Sequence, residues 1–194
     1  MLTDPPLIVT LAINEADFLV LDGLRRRNFP PLRNLVPAHV TLFHRLPGSA
    51  EAAIRAELAA ACQDRQPFLL TGGQPRLLGR GVALAYGSPE LQELRGRLAA
   101  RFLPLLTAQD RQPYRPHVTI QNKVAPDLAR ALALELAASP PQPTITATGL
   151  LLWRYLEGPW QPAAACPFAG AAGTVRFPAG PPRPTSGPGN REPG

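Results

Sequence analysis

The chain has 194 residues and a mass of 20.8 kDa, with 45% hydrophobic and 18% charged residues, a composition that buries a full core and excludes a disordered polymer. Its net charge of +6 is almost wholly arginine, Lys123 being the only lysine, and suits an anionic partner such as RNA or a nucleotide without requiring one. Cys62 and Cys166 lie far apart and outside any C-x-x-C, so neither a disulfide framework nor a zinc site is indicated, and both read as inert buried thiols.

Met1 to Thr10 shows no basic n-region and no apolar run of signal length, and nothing later approaches the ~20 apolar residues of a membrane span. A cytoplasmic protein with no membrane partner is expected. Leu7 to Ile13 is a near-continuous apolar run, as in a strand buried on both faces. Asn14 then offers an N-cap, Glu15 and Asp17 an acidic first turn, and Arg25-Arg26-Arg27 a basic last turn before Phe29-Pro30-Pro31 stops the helix. The arginine run reads as a solvated helix end.

A strand is expected over about Ala38 to Arg45, and Ser49 caps a helix striped by Ile54, Leu58 and Ala61. Pro67 to Leu78 and Gly81 to Tyr86 read as a hairpin. Ser88-Pro89 opens a third helix, with Leu91, Leu94, Leu98, Phe102 and Leu105 on its buried stripe. A strand over Tyr114 to Val124 follows, then a helix from Pro126 to Ser139 and a long strand over Thr144 to Tyr155, with Trp153 and Tyr155 read as core. A weaker strand lies around Gln161 to Phe168. From Ala169 the chain turns rich in Pro, Gly and Ser and reads as a disordered, non-catalytic tail, though Thr174 to Phe177 has the composition of a short strand.

One phrase recurs in this order: His39-Val40-Thr41-Leu42 and His117-Val118-Thr119-Ile120. In a strand, alternate side chains share a face, so each copy sets a His–Thr pair against two buried aliphatics. Either copy alone is an ordinary half-buried strand histidine. Two of the chain's three histidines placed equivalently, 78 residues apart in similar strand–helix surroundings, read instead as one site built by two related lobes. The expected class is α+β: a duplicated split α/β unit over residues 1–168, with lobes of about 1–87 and 88–168 exchanging strands, helices outside and the His–Thr faces across a central cleft.

A neutral imidazole can act as base and a protonated one as acid, while threonine hydroxyls donate to phosphate oxygens. That is the equipment for in-line attack on a phosphodiester. No Asp or Glu lies near either histidine in the motif strands, so no metal or other cofactor is expected. Parity along the strands adds Arg115 and Lys123 as phosphate-binding candidates. Phe43 and Tyr114 are added as base-stacking candidates, whereas His44, of opposite parity to His39, reads as structural.

The paired His-x-Thr-aliphatic phrases resemble those of the 2H phosphoesterase superfamily, in particular its bacterial 2′-5′ RNA ligase-like branch, over about residues 5 to 168. The resemblance implies two ferredoxin-like halves related by a pseudo-twofold axis. It also implies metal-free hydrolysis of 2′,3′-cyclic phosphate ends of RNA or nucleotides, with reversible 2′-5′ ligation. His39 and His117 would be the catalytic pair, the first as acid and the second as base, and Thr41 and Thr119 the phosphate ligands. RNA ends or cyclic nucleotides would be the partners of a monomer without an obligate protein partner. Where members of that branch often carry arginine after the second threonine, this chain has Gln121-Asn122-Lys123. That departure keeps two alternatives open: an RNA-end or nucleotide-binding module with little catalysis, and an esterase for small nucleotide-derived cyclic phosphates.

Overall fold

A computed structural model describes residues 4–139, 141–171 and 175–180. The elements run β1 (Leu7–Ile13), α1 (Glu15–Asn28), β2 (Val40–Leu46), α2 (Glu51–Gln63), β3 (Phe68–Leu77), β4 (Val82–Gly87), α3 (Pro89–Arg101), β5 (His117–Gln121), α4 (Pro126–Ala138), β6 (Thr144–Tyr155) and β7 (Trp160–Pro167). The N-caps of α1 and α3 form as read: Asn14 Oδ1 accepts from Asp17 N at 2.8 Å and Ser88 Oγ from Leu91 N at 3.0 Å. Ser49 does not cap α2. It lies in a short 3₁₀ turn, Gly48–Ala50, that feeds the helix through Ala50 without a side-chain cap.

All strand pairings are antiparallel, in the order β1-β2-β5-β4-β3-β6-β7, and β1 also pairs with β6. Six strands therefore close a ring, with β7 paired to the far half of β6. The ring order maps onto itself when β1, β2 and β3 exchange with β4, β5 and β6. The joint between repeats thus lies in the β3–β4 turn, one strand earlier than the sequence reading placed it. Leu21 and Leu24 of α1, Ile54 and Leu58 of α2, Leu91, Leu94 and Leu98 of α3, and Leu132 and Leu136 of α4 pack with Leu7, Val9, Val40, Val82, Val118 and their neighbours in one apolar cluster. Helices and core thus occupy one face of the ladder and free the other.

On the free face a second, smaller cluster joins Ile8, Ala12, Leu151 and Trp153 to Trp160, Val175 and Phe177. Val175 and Phe177 thus pack against the ring, contrary to the expectation of a disordered tail from Ala169, because these two apolar side chains have an aromatic surface to cover. No strand forms over 175–177, while Thr174, where the expected strand begins, and residues 181–194 lie outside the described residues. No helix among the described residues is long and apolar enough to cross a membrane.

Candidate active site

β2 and β5 meet at a single pair, Val40 opposite Val118. These are the equivalent residues of the two phrases, so the local twofold passes between them. One step either side, the antiparallel register sets His39 opposite Thr119 and Thr41 opposite His117. The two valines are fully buried, while all four polar residues are half-buried on the other face. Directly opposed Cβ atoms in such a ladder are about 5 Å apart and diagonal ones about 7–8 Å. Histidines therefore hold two corners of a small square and threonines the other two. The flanking strands leave room: Ala12 continues the register beside His39, and Ala85 pairs with His117.

Both rings are held alike. His39 Nδ1 lies 2.7 Å from the Pro37 carbonyl and His117 Nδ1 2.9 Å from the Arg115 carbonyl. A carbonyl only accepts, so each Nδ1 carries the proton and each Nε2 is left free for chemistry. Burial, reinforced by the nearby Arg25 charge, lowers the His39 pKa to about 4 against the opposing effect of the Pro37 hydrogen bond. Burial also lowers that of His117, with Arg76 adding to it. Both imidazoles are neutral at pH 7 in the free protein.

The neighbours predicted by parity fare differently, and the reason is local. Thr10 pairs with Thr41 but Val9 with Phe43, so β2 carries an extra residue immediately after its threonine. Ala83 pairs with Thr119 but Val82 with Gln121, the same bulge in the same place on β5. Beyond each bulge the alternation breaks. Phe43 is turned fully into the core, where it packs against Phe102, and cannot stack on a base from there. Gln121 is also buried. β5 ends there, and Lys123 sits in a turn with φ of 59°, off the strand face that parity assigned to it. Tyr114 packs against the core with its hydroxyl buried and unpartnered, and is not a stacking surface either. Arg115 is exposed beside the site and contributes its carbonyl to His117. His44 bonds through Nδ1 to Asp110 at 3.0 Å, as a structural histidine would.

Sequence reading missed three residues on this face. Trp160, at the start of β7, lies 4.7 Å from the His39 ring, centroid to centroid, and 5.8 Å from Trp153. The pairing of Tyr155 with Trp160 across the Gly158-Pro159 turn is the only signal that could have placed it. Arg76 on β3 pairs with Ala83 and so shares the face of His117. Phe177 meets Trp153 edge-on at 4.7 Å, from a segment read as tail. Trp153, Trp160 and Phe177 wall a cavity of about 780 Å³ that reaches His39, with Arg26 and Arg176 also on its lining. Among the described residues no group of three or more His, Cys, Asp or Glu could hold a metal ion.

Comparison with known proteins bears on this geometry. The family model of the 2′-5′ RNA ligase superfamily matches residues 13–159. No curated protein matches the chain by sequence. Among solved structures, E. coli LigT complexed with 3′-AMP superposes with a TM-score of 0.56 at 17% identity, covering 84% of this chain and 98% of that one. TT0787 of Thermus thermophilus gives 0.58 at 18% identity, covering 84% and 97%. E. coli LigT complexed with ATP gives 0.54 at 19% identity, covering 86% and 98%. At these identities the likeness is one of fold.

Proposed function

Since the chain belongs to the 2′-5′ RNA ligase superfamily, we propose that it is a metal-independent phosphodiesterase that opens the 2′,3′-cyclic phosphate ends of RNA or nucleotides. The observation that carries this reading is the square of His39, Thr41, His117 and Thr119, centred on the Val40–Val118 pair. One neutral histidine takes a proton from water as its oxygen bonds to phosphorus. The bond from phosphorus to one ribose oxygen breaks, and the other histidine, protonated, gives its proton to that leaving alkoxide. The threonine hydroxyls donate to the non-bridging oxygens, where charge gathers in the transition state. Both rings must work through Nε2, the nitrogen their carbonyl partners leave free. A bound phosphate supplies the negative charge that raises the depressed pKa of whichever ring serves as acid. The same steps with a 5′-hydroxyl in place of water, and with the ribose 3′ oxygen as the leaving alkoxide, join a 2′,3′-cyclic end to that hydroxyl as a 2′-5′ linkage.

The nucleotides named with E. coli LigT, 3′-AMP and ATP, support a nucleotide substrate, as does the aromatic cavity beside His39. The test is turnover of 2′,3′-cyclic AMP in the presence of a chelator. Activity should persist, and His39→Ala or His117→Ala should each lower it by about 10²–10⁴-fold, the usual contribution of a general acid or base. Full activity in either variant would remove the mechanism. Tight binding without multiple turnover would leave a nucleotide-binding module.

A further inference from the structure

The β2–β5 seam, which sets the distance between the two histidines, rests on one ladder pair. On each strand the register slips by one residue just after the threonine, and a carbonyl beside that bulge, Leu42 O on β2 and Thr119 O on β5, faces a buried arginine. Two buried arginines take up these carbonyls. Arg25 of α1 donates from Nη1 to Thr119 O at 2.7 Å, and from Nε to Asn34 Oδ1 at 2.9 Å and Val36 O at 3.1 Å. Arg95 of α3 donates from Nε to Leu42 O at 2.8 Å and from Nη2 to Asp110 O at 2.5 Å. They are 4% and 6% exposed, which for arginine requires such partners.

The pattern is crosswise. Arg25 ties the loop before β2 to the bulge of β5, and Arg95 ties the loop before β5 to the bulge of β2. The two sit on helices that the repeat makes equivalent, though at different turns, and each is backed by an aromatic ring: Phe29 at 4.1 Å under Arg25, Phe43 at 3.9 Å under Arg95. We propose that Arg25 and Arg95 are positioning residues, a pair of cross-lobe latches that hold the two histidines at the spacing of one phosphate. Neither touches the reacting atoms. This rests on the phosphodiesterase reading for its kinetic consequence but not for its structural one. A planar guanidinium spans two acceptors at fixed angles, whereas an ammonium keeps the charge without the fork.

The experiment uses full-length Arg25→Lys and Arg95→Lys, with kinetics on 2′,3′-cyclic AMP and the imidazole resonances of both histidines read by NMR. Each variant should lower kcat by about 10–100-fold with KM nearly unchanged, as expected when a misplacement of the order of an ångström separates two catalytic groups. Each should move the resonances of both rings. The double variant should be little worse than the poorer single one, because both relax the same seam. Unchanged kcat in folded single variants would overturn the proposal, as would a loss of melting temperature with kcat per folded molecule intact. So would resonances that move only in the ring nearest the substitution. If the wild type does not turn over, the phosphodiesterase reading fails, and the ring resonances alone decide the latches. If the lysine variants do not fold, Asn34→Ala removes one acceptor of Arg25 and should give a smaller kcat loss of the same kind. An unchanged kcat there, in that case, would count against the proposal.

Discussion

The two halves of the site share a frame and differ in what surrounds it. At each histidine the ring, its carbonyl partner, the following threonine and the bulge beyond are the same. One strand further out they part. Beside His39, the position paired with Thr10 is Leu151, and Trp153, Trp160 and Phe177 follow. Beside His117, the equivalent position paired with Ala83 is Arg76, with Gln74 next to it on the same face. On the phosphodiesterase reading, duplication would supply the acid–base pair, and divergence in β3, β6 and β7 makes the surroundings of its two members unequal. The apolar, aromatic side suits a nucleobase, and the cationic side suits the ribose–phosphate chain.

The difference also bears on roles. The resemblance assigns His39 the acid part, yet burial holds its pKa at about 4, which favours the neutral form a base needs. A phosphodiester activated by p-nitrophenol separates the two, because its leaving group departs without a proton. His117→Ala should then recover to within about 10-fold of wild type while His39→Ala stays reduced by ~10²-fold or more. Recovery of His39→Ala instead would restore the order the resemblance implies.

Removing Trp160 tests the base side. Stacking on an aromatic ring is worth about 1–3 kcal/mol per base, so Trp160→Ala should raise KM for 2′,3′-cyclic AMP by about 5–150-fold. A substrate lacking a base should be spared, and equal losses on both would make Trp160 a packing residue only. Arg76→Ala tests the other side, with a smaller effect. It should weaken RNA and mononucleotide substrates alike by a few-fold, as expected for one partly exposed charge, and it should raise the His117 pKa. A shift in His39 alone would contradict the assignment.

A separate effect is on stability. The unfolded His39 takes a proton near pH 6.5, whereas the folded ring refuses it down to about 4. Across that window the unfolded chain binds more protons, so stability declines as pH falls. His39→Gln should flatten that decline, measured as melting temperature between pH 7 and 4.5.

Much of this was legible from residues alone. Strand and helix order followed from alternation, stripe spacing and the Asn14 and Ser88 caps, and the His–Thr faces followed from period two. Parity failed where a bulge added one residue: Phe43 went into the core, and Lys123 left the strand altogether. Bulges leave no mark in a short β-branched run, since the inserted residues, Leu42 and Ile120, are as apolar as their neighbours. The Arg25-Arg26-Arg27 run has the pattern of a solvated helix end, which holds for Arg26 and Arg27 but not for Arg25. One of the partners that burial of this arginine requires, the Thr119 carbonyl, lies 94 positions later in the chain, where no local pattern discloses it. Trp160 and Phe177 likewise meet the site only through tertiary pairing.

The central claim, that both histidines serve one phosphate, is tested most directly by titrating the full-length protein with inorganic phosphate and following the two imidazoles by NMR. Both rings should shift with one common midpoint and a stoichiometry of one phosphate, and both pKa values should rise in the bound form. Two separate midpoints, or movement of only one ring, would contradict it.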